Sequence, residues 1–223
     1  MPRALIVGNT DGIGLALTRR LLDEGWSAVG VSRRASGLDH PAYEHLVADV
    51  AAAGYPAALD GLAAFDLCVY AAGIGEPLDV DALGEQTAAI RVNLLGAALT
   101  AEAVLPAMLA AGRGHLIGLS SLADVVISPD APGYAASKAG LTSYLLGLGQ
   151  AVRRRGVAVT AVRFGFVDTK MAKSPVTPFK IGVDEAVTVL MRAVRRRPAV
   201  VSYPRRMSVA ARALRGVSRL SLR

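Results

Sequence analysis

The chain has 223 residues, 52% of them hydrophobic and 19% charged, which excludes a disordered polymer and leaves room for a full α/β core. The net charge of +7 belongs mainly to the end of the chain: Pro204 to Arg223 holds six arginines and no acid. With 5% aromatics and no interleaving of bases with aromatics, nothing else points to nucleic acid as a partner. No secretory signal and no run long enough for a membrane helix stands out. The single cysteine, Cys68, cannot form an internal disulfide, so a cytoplasmic location is the simplest expectation. His40, His45 and His115 show no metal-ligand spacing, so no metal is expected.

Arg3 to Val7 reads as a buried first strand. Gly8-Asn9-Thr10-Asp11-Gly12-Ile13-Gly14 follows, and a helical pattern then runs to Glu24, with Gly25 as its stop. Ser27 to Val31 is a second strand, Leu46 to Ala48 a third, ending at Asp49, and Leu67 to Tyr70 a fourth, closed by Ala71-Ala72-Gly73. A long helical region spans Leu83 to Ala111. His115 to Leu119 is a fifth strand. A helix from Gly133 to Arg155 ends in three arginines, which suit its negative terminus. Val157 to Val162 is a sixth strand, Asp184 to Arg196 a further helix, and Ala199 to Val201 a seventh strand. Apolar strands alternating with helices predict a Rossmann-like α/β fold: a doubly wound parallel sheet of about seven strands with helices on both faces. The domain organisation expected is one catalytic domain over 1–203, with a substrate flap at 170–182 carrying Pro175 and Pro178, followed by a basic helical tail at 204–223.

Three motifs carry chemistry. Gly8-x-x-x-Gly12-x-Gly14 lies between the first strand and the first helix. There glycine lets the backbone approach a pyrophosphate, and the helix N-terminus favours an anion. A plain structural turn is the competing reading. At the end of the second strand, where an acid would bind the ribose hydroxyl of NAD, the chain has Ser32-Arg33-Arg34. Guanidinium groups there suit the 2′-phosphate of NADPH, with Asp11 a counter-signal because it would repel that phosphate. Further on, Tyr134 and Lys138 stand four apart in a helical stretch and so share one face. An ammonium near a phenol favours the phenolate, which makes the pair a candidate general acid/base. Alone, so short a pattern recurs by accident.

With these motifs in order, the chain resembles the short-chain dehydrogenase/reductase family, in its NADP-preferring type, from Ala4 to about Val201. The resemblance implies a catalytic group of Asn93, Ser121, Tyr134 and Lys138. Ser121 falls thirteen residues before Tyr134, the family's spacing. It implies cofactor contacts at Gly8, Thr10, Asp11, Gly12, Ile13, Gly14, Ser32, Arg33, Arg34, Asp49, Val50, Ala71, Ala72, Gly73, Tyr134, Lys138, Gly165, Val167 and Thr169. Asp49 is expected at the adenine amine and Thr169 at the nicotinamide carboxamide. Three departures stand out: Tyr70-Ala71-Ala72-Gly73 replaces Asn-Asn-Ala-Gly, Phe164-Gly165 replaces Pro-Gly, and Val7 replaces a threonine. The implied activity is hydride transfer between NADPH and a ketone or aldehyde, the substrate apolar because Ile74, Leu122, Val125, Phe166, Met171 and Val176 to Phe179 are its expected walls. The competing functions are a non-catalytic dinucleotide-binding regulator or scaffold, and a membrane-surface reductase of lipid-like substrates. A homodimer or homotetramer is expected, built on the Gly133–Arg155 helix with its small residues Ala135, Ala139, Gly140, Ser143 and Gly147, together with the long helix before it. The arginine-rich tail is expected to pack on its own domain or a partner subunit, with contact to an anionic membrane and a disordered end as the less favoured fates.

Overall fold

A computed structural model of the chain describes residues 1–62, 64–171 and 177–207. Seven parallel strands form one sheet in the order β3-β2-β1-β4-β5-β6-β7. They are β1 (Arg3–Val7), β2 (Ser27–Ser32), β3 (Tyr43–Val47), β4 (Leu67–Tyr70), β5 (Gly114–Ser121), β6 (Val157–Phe164) and β7 (Val200–Tyr203). The helices are α1 (Gly12–Asp23), α2 (Tyr55–Ala58), α3 (Gly84–Ile90), α4 (Gly96–Ala110), α5 (Pro132–Val152) and α6 (Val183–Arg196). The strand order turns back at β1, whose neighbours are β2 and β4. The carboxyl ends of β1 and β4 therefore diverge into a crevice, the place where open α/β sheets bind ligands.

The two faces of the sheet carry separate cores. Leu5, Val29, Cys68, Leu116 and Val159 point toward α4 and α5, where Ala101, Leu105, Leu141 and Leu145 meet them. Ile6, Val69, Ile117 and Val162 point the other way, onto Leu17 and Leu21 of α1 and Leu190 of α6. Side chains alternate along each strand, so a strand covered on both faces must be apolar throughout.

The elements differ from the sequence expectation in instructive places. The helical region from Leu83 is not uniform: a π-helical turn, Arg91–Leu95, separates α3 from α4. The span Gly84–Ala110 is in fact long and apolar enough to cross a bilayer, contrary to expectation, but half of its most apolar window is buried in the protein. Its apolarity follows from packing on the sheet and on α5. Strand β3 begins three residues earlier than expected, at Tyr43, where its backbone already pairs with Ala28 of β2, and its Tyr43 and His45 enter a polar network described below. Strands β5 and β6 each run two residues further, to Ser121 and Phe164. The arginines after α5 form a 3-10 turn, Arg153–Arg155, stopped by Gly156 in the left-handed region.

Candidate active site

The loop from Gly8 to Gly14 leaves β1 at the crevice and opens α1. Gly8 has φ +88°, and a Cβ added there would lie 2.5 Å from Ala72 N. The loop after β4 is therefore pressed against the glycine loop, and only glycine fits. A Cβ at Gly14 would collide with the Gly8 carbonyl, so the first turn of α1 can sit directly on the loop. Asp11 caps that helix by accepting from Gly12 N at 2.8 Å. Its other oxygen pairs with Lys170 at 2.8 Å and, more loosely, with Arg34 at 3.9 Å. The Lys170 hydrogen bond and then the Gly12 amide hold the Asp11 carboxyl below its ordinary range. Two cations thus offset the acid that sequence reading counted against a 2′-phosphate.

Arg33 and Arg34 are exposed after β2. The Ser32 hydroxyl turns inward to donate to the Arg34 carbonyl at 2.6 Å. His45 reaches that same carbonyl through Nε2 at 2.8 Å, so Nε2 carries the proton. Nδ1 then accepts from Tyr43 Oη at 2.7 Å, and Tyr43 accepts in turn from Asn9 Nδ2 at 2.5 Å. This chain fastens the turn bearing the arginines to the floor of the glycine loop. It draws on residues from three separate segments, which no local pattern links. Asp49 accepts from Ala51 N at 2.9 Å at the mouth of the same end of the crevice, and Val50 beside it is buried.

Asn93 lies in the π turn and is fully buried. Its Oδ1 accepts from Ile74 N, and its Nδ2 donates to Ile74 O, each at 2.8 Å. Nδ2 also donates to Ser137 Oγ at 2.9 Å, and Ser137 in turn donates to Tyr134 O at 2.7 Å. Asn93 therefore locks the loop after β4 to the first turn of α5. Tyr70, in place of a family asparagine, donates to the Val92 carbonyl at 2.5 Å and satisfies a backbone group of the widened turn. π turns of this kind occur often at functional sites.

Tyr134 and Lys138 project from one face of α5 toward the end of β5. Lys138 is 4% exposed and donates from Nζ to the Leu119 carbonyl at 2.9 Å. Burial lowers its pKa to about 8. Its Nζ lies 5.7 Å from the centre of the Tyr134 ring. The Tyr134 phenol is nonetheless raised above its ordinary pKa: burial is the main cause, the Asp124 charge adds to it, and a hydrogen bond from Ser121 opposes it. Sequence reasoning expected Lys138 to lower the phenol; the phenol is instead raised, with burial as the main cause. Ser121 ends β5, and its Oγ also accepts from Ala123 N at 3.1 Å, capping a 3-10 turn, Leu122–Val125. Gly75 lies against the Tyr134 ring, where an added Cβ would come within 2.7 Å of Cδ2.

Gly73 completes the centre. A Cβ there would stand 3.3 Å from Asn93 Oδ1 and 3.4 Å from Lys138 Nζ, so the missing side chain leaves a gap that both polar groups border. After β6, Gly165 N donates to Tyr203 O at 2.8 Å, and Val167 bridges Ile181. Thr169 brings its methyl group to within 3.2 Å of a Cβ built on Gly12, which places it across the crevice from the glycine loop. Thr10 and Ile13 lie in the glycine loop and the first turn of α1, and Ile13 packs on the α1–α6 core. Of the expected substrate walls, Leu122 is 1% exposed and supports the site from beneath, while Met171 and Phe179 are largely exposed. Val176 and most of the tail lie outside the described residues. The tail's first residues, Pro204 and Met207, cover Gly165.

Sequence reasoning missed Gln86, which accepts from Gly133 N at 2.9 Å and holds the start of α5. It also missed Asp124 and Arg163, which are joined by a salt bridge at 2.6 Å. Arg163 had a signal: a charged residue inside the apolar run Val157–Phe164 implies a buried partner.

The family model for short chain dehydrogenase matches residues 2–178. An "Uncharacterized oxidoreductase" of Myxococcus xanthus is 31% identical over 94% of this chain and 90% of its own length. The serine 3-dehydrogenase of Agrobacterium fabrum is 30% identical over 74% of this chain and 72% of its own. Among solved structures, a short chain dehydrogenase from Burkholderia cenocepacia in complex with NADP superposes with TM-score 0.86 at 25% identity, covering 99% of this chain and 95% of that one. One from Sphingobium yanoikuyae in complex with NADPH gives 0.82 at 26% identity, covering 100% and 95%.

Proposed function

The chain belongs to the short-chain dehydrogenase family of oxidoreductases, and from that premise we propose that it is an NADP(H)-dependent reductase of ketones or aldehydes, working by a Tyr-Lys-Ser-Asn mechanism. The observation that carries this reading is the convergence of Asn93, Ser121, Tyr134 and Lys138 beside the crevice that the glycine loop opens. The residues fit a nicotinamide dinucleotide. The glycine loop and the α1 N-terminus offer a close backbone approach to phosphates, and Arg33, Arg34 and Lys170 offer cations. NADP and NADPH in the two relatives just described support the phosphorylated cofactor.

When bound, the cofactor supplies hydride to the carbonyl carbon. Tyr134 donates its proton to the carbonyl oxygen, and the raised phenol pKa keeps that proton in place until charge develops there. The Ser121 hydroxyl donates a second hydrogen bond to the same oxygen. Lys138 and Asn93 border the gap over Gly73, which suits a water returning protons toward Tyr134. We propose one catalytic domain over 1–203, cytoplasmic, with 170–182 as substrate flap and 204–223 as a packing tail. Assembly as a homodimer or homotetramer draws support from exposed Ile90 at the end of α3, Leu83 just before α3 and Leu95 in the π turn, and light scattering reads it directly.

The test is a panel of apolar ketones and aldehydes, with consumption of NADPH and of NADH followed by the absorbance of the reduced nicotinamide. NADPH-dependent turnover that Tyr134→Phe reduces by at least about 100-fold, with cofactor affinity kept, is expected. Tyr134→Phe protein retaining most of its turnover would exclude the mechanism.

A further inference from the structure

A second charged group is buried beside this site and takes no part in the proton transfer proposed above. Asp124 lies in the 3-10 turn that Ser121 caps. Its side chain is 2% exposed, and that of Arg163, reaching it from β6, is 9% exposed. Arg163 Nε donates to Oδ2 and Nη2 to Oδ1, each at 2.6 Å, the planar two-bond geometry that only arginine offers a carboxylate. Arg163 is the register neighbour of Ser120 on β5 and of Ser202 on β7, and its Nη1 donates to Ser202 Oγ at 3.3 Å.

The pair also reaches α5. Thr142 Oγ1 donates to Asp124 Oδ2 at 2.7 Å. With its proton given to the carboxylate, Thr142 can only accept from Ser120 Oγ, 2.6 Å away. Ser120 in turn lies 3.0 Å from the Lys138 carbonyl. Tyr134, Lys138 and Thr142 follow at intervals of four on one face of α5. The carboxylate of Asp124 thus orients Thr142 of α5 and, through it, Ser120 of β5, while its own turn begins at Ser121.

A buried ion pair is poor evidence for stability, since apolar residues of equal volume often serve as well or better. This pair joins the serine turn, β6 and the tyrosine helix at a single point. We propose that Asp124 and Arg163 are positioning residues of the site: together they hold the Ser121 turn against α5 and set the local charge under which Tyr134 keeps or yields its proton. This rests on the reading of Tyr134 as proton donor. Asp124 already pushes the phenol upward, and Arg163 is the cation paired with it. Of the other charged groups, Lys138 Nζ lies 5.7 Å from the centre of the Tyr134 ring, Asp130 stands four residues before Tyr134 in sequence, and Glu76 follows Gly75, which lies against the ring.

Tyr134 ionisation can be followed without turnover, as tyrosinate absorbance in the full-length protein minus that of its Tyr134→Phe counterpart. Asp124→Asn removes the anion and leaves Arg163 unpaired, and it should move the midpoint down by about one pH unit. Arg163→Gln leaves Asp124 unpaired and should move it up by a similar amount. The double variant should return it close to the starting value. Unshifted midpoints, or shifts of the same sign in both single variants with circular dichroism unchanged, would overturn the proposal. If Arg163→Gln does not fold, Arg163→Lys keeps the charge but loses the fork. Its midpoint should stay put while kcat falls about tenfold and KM for NADPH holds; an unchanged kcat would overturn the positioning role. A parent protein without NADPH turnover but with opposite titration shifts would count against the reductase reading alone.

Discussion

Lys138 Nζ donates to the Leu119 carbonyl at 2.9 Å, so the ammonium is tethered to the strand that ends two residues later in Ser121. That tether is what keeps a nearly fully buried lysine pointed at the site. It does not make the burial free of cost: the folded-state pKa is about 8 against an ordinary 10.5.

The linkage has a definite sign. Between about pH 8 and 10.5 the unfolded chain keeps the Lys138 proton and the folded chain does not. Stability therefore rises with pH across this window and is lost as pH falls through about 8. Lys138→Met fills a similar volume without charge. Allowing about 1 kcal/mol for the abandoned Leu119 carbonyl, it should raise the unfolding free energy at neutral pH by about 2 kcal/mol while abolishing turnover. Urea unfolding together with a carbonyl assay checks both halves, and an equal or lower stability would contradict the burial argument.

Gly73→Ala is a test of the gap between Asn93 and Lys138. Its Cβ would crowd two polar groups at 3.3 and 3.4 Å, a tight but tolerable fit. The fold should survive with a loss under about 1.5 kcal/mol. Turnover should fall at least about tenfold, with KM for NADPH nearly unchanged. Full turnover would mean that no proton path uses this gap.

Arg33→Asp should weaken NADPH at least about tenfold relative to NADH, since it replaces a phosphate partner with a repelling charge. Steady-state kinetics with both cofactors decide it. An unchanged ratio would assign phosphate recognition to Arg34 and Lys170, the two cations already paired with Asp11.

His115, at the far end of the sheet, donates from Nε2 to Thr160 Oγ1 at 2.8 Å, because Thr160 spends its own proton on the Pro198 carbonyl. Burial first, and then the nearby Arg197 charge, lower its pKa to about 4. The unfolded chain takes up this proton near pH 6.5 and the folded chain does not, so stability falls as pH falls from about 6.5 to 4. The loss is about 3 kcal/mol. His115→Leu should flatten this acid limb in unfolding curves recorded across the window; an unaltered limb would assign acid sensitivity to other groups.

The sheet, the glycine loop and the Tyr134–Lys138 pair were legible because each is written in consecutive residues with a fixed period. The π turn was not: Leu83 to Ala111 has the composition of one continuous helix, and only the depth at which Asn93 must sit forces the extra width. The Asn9–Tyr43–His45 chain and the Asp124–Arg163 pair each join residues more than thirty positions apart. Such groups become visible only once strand register is known. The upward shift of the Tyr134 phenol was hidden for the opposite reason: the Tyr134–Lys138 spacing is local, but burial of the phenol is a property of the whole fold.

The π turn also constrains how this protein can change. A widened turn is an α-helix carrying one surplus residue, and each residue in an α-helix rotates the chain by about 100°. Deleting a single residue from Arg91–Leu95 would heal the irregularity and leave a smoother helix. It would also swing Asn93 away from Ile74 and Ser137. A length change that improves local geometry would therefore erase the site. Random libraries and natural drift alike should tolerate substitutions across this segment far more readily than deletions within it.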